Sequence, residues 1–314
     1  SALGRYTPAD FVALVDSYGI AWHEKTLGQL FCDGSSKQIV GLLMRECGKG
    51  GVDFRFGTAT EVEHRDGMFH AAGASAPRLV LASGGLSIPK LGATSFAYDV
   101  ARRFGHKIVE PRPALVPLTL PPDGTLFKSL SGVATQVVAS AGQARFREAA
   151  LFTHRGLSGP AILQVSSYWR HGDSIGIDFL PDAPRGWLKD KKRRDPRAHL
   201  RSAVAAGIPD RLALALLDEM AVSGDLGNIP DRVLGEAEAR LRDWRFTPNG
   251  SEGFAKAEVT AGGIATDQLS QKSMESTRVP GLHAIGEAVD VTGWLGGYNF
   301  QWAWTSARAA GEAV

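Results

Sequence analysis

The stretch Gly281-Leu-His-Ala-Ile-Gly-Glu-Ala-Val-Asp290, followed by Gly296-Gly-Tyr-Asn-Phe-Gln-Trp-Ala-Trp304, decides how the rest of the chain is read. Leu282 to Ile285 read as a short buried strand, and Gly286 lets the backbone turn tightly beside a ligand. Glu287 and Asp290 then put carboxylates where a sugar hydroxyl can donate to them. After Gly296 and Gly297 a helix begins near Asn299 or Phe300, and its free N–H groups and positive dipole end suit an electron-rich ring. Strand, acidic turn, glycine turn and aromatic helix, in that order, suit a dinucleotide. The same order also closes an ordinary α/β domain, and spacing alone does not separate the two.

Working outward, Thr7-Pro8-Ala-Asp10 is a helix start, with Thr7 as N-cap and Pro8 in the first turn. Phe11, Leu14, Val15 and Tyr18 give that helix one apolar face, and Gly19 ends it. Short strands at Ile20–His23 and Gln29–Cys32 precede a helix from about Ser35 to Cys47 that turns Ile39, Leu42, Leu43 and Cys47 inward. Gly50-Gly51 breaks it, and Val52–Phe56 reads as a strand. Thr60–His64 and Met68–Ala72 read as a hairpin across Arg65-Asp66-Gly67, and Arg78–Ala82 as a buried strand running into Ser83-Gly84-Gly85. Ligand crevices of doubly wound folds lie at the carboxyl ends of such strands.

From Arg112 onward, Pro113, Pro117, Pro121 and Pro122 punctuate short β-like runs at Leu115–Leu120, Val133–Ala139 and Ala144–Phe152, which read as a small barrel or sandwich. Ser158–Trp169 reads as a helix capped by Ser158, Ser174–Leu180 as a strand, and Pro184 to Arg242 as charged helices. Trp244–Thr247 and Phe254–Val259 return to β structure. The middle therefore reads as a domain inserted into a nucleotide-binding one, whose two outer pieces share a sheet.

The 314 residues have room for a full core, and 44% apolar with 22% charged residues marks a globular chain. A formal net charge of +2 gives no general drive toward nucleic acid or anionic membrane. Cys32 and Cys47 are the only cysteines, too few for a disulfide framework and suited to a reducing compartment. No apolar run reaches the length of a membrane span, so a cytoplasmic protein is expected.

Three further segments carry a resemblance. They are Leu81-Ala-Ser-Gly-Gly-Leu-Ser-Ile-Pro-Lys-Leu-Gly-Ala-Thr94, Phe152-Thr-His-Arg-Gly-Leu-Ser-Gly-Pro160 and Lys256-Ala-Glu-Val-Thr-Ala-Gly-Gly-Ile264. Together with the C-terminal stretch, in order and over nearly the whole chain, they resemble the NAD(P)/FAD-dependent oxidoreductase family that includes aminoacetone oxidase and the BaiN- and YhiN-type flavoproteins. The resemblance implies an α/β fold. A two-dinucleotide-binding-like FAD domain (1–113 and 253–314) would be interrupted by a β-barrel-like domain (114–252) with a helical subdomain at about 183–243. It implies FAD contacts at Ser83, Gly84, Gly85, Gly262, Gly263, Gly286, Glu287 and Asp290. Further contacts would come from Gly296, Gly297, Tyr298, Asn299, Phe300 and Gln301. It also implies oxidation or reduction of a small molecule in a cleft between the domains, with NAD(P)H as a candidate co-substrate. The family's opening strand, G-x-G-x-x-G turn and helix is not found in these residues. The alternative reading is therefore an N-terminally incomplete relative that cannot retain FAD and serves as a binding module.

Other signals read more plainly. His154 has motif neighbours that fit a loop facing the flavin, but a lone histidine is more often structural or exposed. Ser158 is not in a G-x-S-x-G elbow, and Lys90 reads as solvated. Lys189-Asp-Lys-Lys-Arg-Arg194 can attract phosphates, though a solvated helix face is the simpler reading. The eight histidines show no metal-ligand spacing. Trp302 and Trp304 read as core packing, one on the sheet and one on the inserted domain.

Overall fold

The computed structural model describes residues 2–57, 61–121 and 129–314. Thr60 and Pro122, both part of the readings above, lie outside the described residues. The chain forms two compact units, Ser1–Arg112 with Val259–Val314, and Pro113–Glu258.

The first stretch opens with α1 (Pro8–Ser17), whose N-terminus is closed by a capping box. The Thr7 side chain accepts from Asp10 N–H, and the Asp10 carboxylate accepts from Thr7 N–H at 2.6 Å. The hairpin of β1 (Trp22–Glu24) and β2 (Leu30–Cys32) follows, then α2 (Lys37–Lys49). Leu42 of α2 is fully buried beside Phe11, Val15 and Ile20. Leu43, expected inward, is exposed, because the buried stripe of this helix is only about one residue wide. Val52–Phe56 forms no strand, and Val52, Phe54 and Phe56 are all exposed. Alternation suits an extended segment, but a strand needs a neighbour to bond. The three-stranded meander of β3 (Val62–Arg65), β4 (Met68–Ala71) and β5 (Ala74–Ala76) turns between its first two strands on Asp66 and Gly67, both at positive φ. That is the backbone an Asp-Gly hairpin turn requires. Next come β6 (Leu79–Leu81), α3 (Phe96–Arg103) and β7 (Ile108–Ala114).

The second unit contains β8 (Leu118–Thr119), β9 (Ala134–Ala141), β10 (Ala144–Phe152), β11 (Gly156–Ser158), α4 (Pro160–Ser166) and β12 (Ile175–Asp178). Helices α5 (Trp187–Arg194), α6 (Leu200–Ala205), α7 (Asp210–Glu219) and α8 (Asp231–Arg242) follow, then β13 (Trp244–Phe246) and β14 (Gly250–Ser251). Its strands make one antiparallel sheet in the order β13-β12-β9-β10-β11-β8-β14. The sheet is open at β13 and β14, so no closed barrel is found among the described residues. Proline-punctuated runs report where strands stop, not whether the last pairs with the first. Val137, Phe152, Ile162, Ile177, Leu188 and Leu216 join sheet and helices in a single core. Ser158 is the last residue of β11 and caps nothing. The N-cap of α4 is Gly159 at φ +87°, where a Cβ would lie 2.8 Å from the Ala149 carbonyl.

The return stretch supplies β15 (Val259–Ile264), β16 (Leu282–Ala284) and α9 (Tyr298–Gly311). Strand β16 pairs in parallel with β6, Leu282 opposite Leu79 and Ala284 opposite Leu81, and β15 pairs with β7. Tyr98, Leu81, Ile264, Leu282, Ala284 and Val289 form the core around these pairs. On α9, Trp302 packs against that core. Trp304 stacks on Phe11 of α1, with ring centroids 3.4 Å apart, rather than on the inserted domain. Gly263 sits at φ +122°, and a Cβ there would lie 2.6 Å from the Ala288 carbonyl. Replacing Gly263 by Ala should lower stability by about 2–4 kcal/mol, combining backbone strain with displacement of the 286–289 turn. A urea midpoint within error of wild type would contradict this packing.

Candidate functional site

Three segments of the first unit converge on Thr260, in the second position of β15. Its Oγ1 accepts from Leu86 N–H at 2.8 Å and from Ser87 N–H at 3.1 Å, fixing the turn that leaves β6. Its own N–H donates to Glu287 Oε1 at 2.8 Å. Gly85 lies against both: a Cβ there would sit 2.6 Å from Glu287 Oε1 and from Thr260 Oγ1. Glycine at 85 is therefore demanded by chain packing on chain. The same holds at Gly262, whose Cβ would collide with the Glu110 carbonyl. Gly84 differs, with φ +74° and open space where a Cβ would point. Ser83 beside it is exposed.

The acidic turn is held from behind. Gly286 N–H donates to Ser306 Oγ at 2.9 Å, and its carbonyl accepts from Trp302 Nε1 at 3.0 Å, both from α9. Asp290 N–H donates to the Ile264 carbonyl at 2.9 Å, which fixes the end of the turn beside β15. Both carboxylates are half-buried. Among the described residues, Glu287 Oε2 and both Asp290 oxygens accept no hydrogen bond.

Tyr98 on α3 completes the set. Its ring is fully buried, and its hydroxyl has no hydrogen-bond partner among the described residues. Burial first, then the negative charge of Glu287 and Asp290, pushes the phenol up to about 12. It is a neutral donor held within the field of two carboxylates.

The residues from Gly296 to Gln301 divide. Gly297, at φ +93°, is the N-cap of α9, which has no side-chain cap. At Gly296, φ +105°, a Cβ would lie 3.2 Å from Gln29 Cγ. Asn299 clamps the preceding loop, accepting from Gly293 N–H at 2.8 Å and donating to the Gly293 carbonyl at 3.2 Å. Gln301 Nε2 donates to the Tyr6 carbonyl and to Thr305 Oγ1, so both of its N–H donors are spent on the protein. Tyr298 and Phe300 are 57% and 68% exposed, which leaves their rings open to solvent at the helix start. His154, in the second unit, is exposed in the tight turn closed by Thr153 N–H on the Gly156 carbonyl. Lys90 is exposed as expected. No group of three or more His, Cys, Asp or Glu among the described residues is placed to hold a metal ion.

Thr260, Tyr98 and Ser306 were not legible as site residues. Thr260 lies within a quoted motif, but nothing in its spacing shows that its hydroxyl joins two other segments. Chemically, the set offers open carboxylate acceptors, one neutral hydroxyl donor and the uncapped start of a fourteen-residue helix. A ligand carrying several hydroxyls and an electron-rich ring would use all three.

The HI0933-like protein Rossmann domain model matches residues 1–313. The chain belongs to the HI0933-like family. Among its HI0933-like relatives is the ribosomal RNA dihydrouridine synthase of Escherichia coli (strain K12), 46% identical over 328 residues that cover 99% of this chain and 80% of that protein. The Haemophilus influenzae protein of the same name is 41% identical over 327 residues, covering 100% of this chain and 81% of that protein. The 3-dehydro-bile acid delta(4,6)-reductase of Clostridium scindens is 30% identical over 259 residues, covering 76% of this chain and 62% of that protein. This HI0933-like chain has a Rossmann-type domain, and among its described residues no helix is long and apolar enough to cross a membrane.

Tyr98→Phe removes a buried hydroxyl that has no protein partner, so the variant should equal or exceed wild type in stability near pH 7 by up to about 1 kcal/mol. A raised folded-state phenol contributes stability that is present below the unfolded value near 10 and lost as pH rises toward about 12. Wild type should therefore weaken over that window by up to about 2.7 kcal/mol more than the Phe variant. Parallel denaturation curves for the two proteins from pH 9 to 12 would show the hydroxyl to be solvated.

Proposed function

We propose that this protein is a flavin-dependent reductase that saturates the C5–C6 double bond of uridine in ribosomal RNA. The observation that carries the reading is the match over 99% of the chain to a relative whose name states that activity. A uracil ring and a 3-dehydro steroid with 4,6-unsaturation share one chemical feature, a carbon–carbon double bond conjugated to a carbonyl. The two kinds of relative thus point to one reaction class, delivery of a hydride equivalent to the electron-poor end of such a bond and a proton to the other. Bound FAD would supply the hydride equivalent, with NAD(P)H as its source.

The residues present fit that cofactor. Glu287 Oε2 and Asp290 have acceptor capacity for ribityl hydroxyls, and the Tyr98 hydroxyl is a buried donor in want of an acceptor. Gly84 leaves open space at the end of β6. The uncapped start of α9 would favour negative charge on a reduced ring by about 0.3–1 kcal/mol, more when water is excluded. Thr260 would act as a positioning residue, since it holds the Gly84-Gly85 turn and Glu287 in register.

The test combines colour with product. Purified protein supplied with FAD should show flavin absorption that survives desalting. With NADPH it should convert uridine in unmodified ribosomal RNA to a nucleoside two mass units heavier. Glu287→Gln keeps an oxygen for the Thr260 N–H but removes the charge, and should weaken FAD binding about ten- to hundredfold. Colourless protein, or unchanged affinity in the variant, would remove the cofactor reading. Stable FAD binding with no mass change in the RNA would remove the substrate.

A further inference from the structure

We infer that the basic surface around α5 in the second unit docks the phosphate backbone of the RNA substrate. This rests on the ribosomal RNA reading above. Between Arg185 and Arg201 the sequence holds eight Lys or Arg (Arg185, Lys189, Lys191, Lys192, Arg193, Arg194, Arg197, Arg201) against Asp190 and Asp195 alone. Seventeen residues thus carry a net charge of +6 in a chain whose total is +2, so everything outside them sums to −4. A whole-chain charge near zero conceals one strongly positive segment.

The structure fixes where that charge stands. Leu188 is fully buried and Trp187 packs against the same core, which pins one face of α5 inward. Lys192 is tied to the body, donating to the Ile229 carbonyl at 2.7 Å and to Asp231 at 2.8 Å. Lys191 pairs with Asp195 at 3.7 Å, Arg193 pairs with Asp190, and Arg201 pairs with Asp210 through two hydrogen bonds. Arg185, Arg194 and Arg197 are exposed, and none makes an ion pair with another described residue.

Cations in the last turn of a helix are favoured by its dipole, and one or two would serve that end. Helix geometry does not account for Arg185 before the helix or Arg197 beyond it. Three guanidiniums without carboxylate partners, set among five further cations, repel one another unless an anion covers them. Guanidinium is also the side chain best matched to phosphate, through paired N–H donors. A polyanion with closely spaced phosphates fits the segment better than a single small anion does.

The test uses the full chain and deproteinised total ribosomal RNA as probe, in filter-binding titrations across a potassium chloride series. The triple variant Arg185→Gln/Arg194→Gln/Arg197→Gln should bind about tenfold or more weakly near 0.1 M salt. The slope of log affinity against log salt should be shallower by about 2–3, since each lost phosphate contact removes roughly 0.7–0.9. Melting temperature and flavin absorption should be unchanged. A control variant, Arg65→Gln/Arg102→Gln in the first unit, should bind as wild type. Equal affinity and slope in the triple variant, or an equal loss in the control, would overturn the surface. So would failure of wild type to bind the RNA, or preferential binding to phosphatidylglycerol vesicles. Wild type that binds RNA through this surface yet forms no reduced uridine would overturn only the substrate reading.

Discussion

One short hydrogen bond organises the first unit: the Thr260 N–H on Glu287 Oε1, with the Thr260 hydroxyl turned the other way to hold Leu86 and Ser87. It ties three segments, two of them separated by the whole second unit, into a single wall. The absence of a side chain at Gly85 is the condition for it, since a methyl group there would occupy the space that both oxygens fill. Sheet pairing sets the coarse geometry, β6 on β16 and β7 on β15. The threonine sets the fine geometry, placing a carboxylate and a glycine turn in fixed register at the strand ends. Such a wall suits a cofactor that supplies its own chemistry and asks the protein mainly for position and field.

The second unit follows a different logic. Among the described residues its sheet and five α-helices share one apolar core, and its distinguishing property is the positive charge concentrated around α5. Acidic side chains neutralise much of the positive charge on α5 and its flanks, yet three arginines remain unpaired. Under the proposed function, oriented reduction and capture of a large polyanion would be separable demands, each assigned to its own unit.

Much of this is legible in the sequence. The capping box of α1 follows from Thr7, Pro8 and Asp10, because local hydrogen bonds decide helix starts. The Asp66-Gly67 turn and the strand-then-glycine pattern at Leu282 to Gly286 are equally local. What sequence hid was non-local. Val52–Phe56 alternates like a strand but has none to pair with among the described residues. Ser158 looked like a cap because it precedes Pro160, yet the chain extends one residue further before Gly159 turns it. A series of short runs could not reveal that the sheet stays open. At the candidate site, the carboxylates and glycines announced themselves by residue type. Tyr98 and Thr260 did not, since a tyrosine on a buried helix face and a threonine in a strand are ordinary until their partners are known.

Helix α9 fastens to the beginning of the chain: Gln301 and Thr305 both donate to the Tyr6 carbonyl, 295 and 299 positions away, and Trp304 lies flat on Phe11. A ribosome releases α1 long before α9 exists. The second unit, uninterrupted from Pro113 to Glu258, can collapse while the first still lacks β15, β16 and its last helix. Contacts of such long sequence separation close slowly, because the entropy of the intervening loop must be overcome before they reward it. The topology thus lets the second unit mature first, while the wall built on Thr260 can be completed only when the final helix arrives.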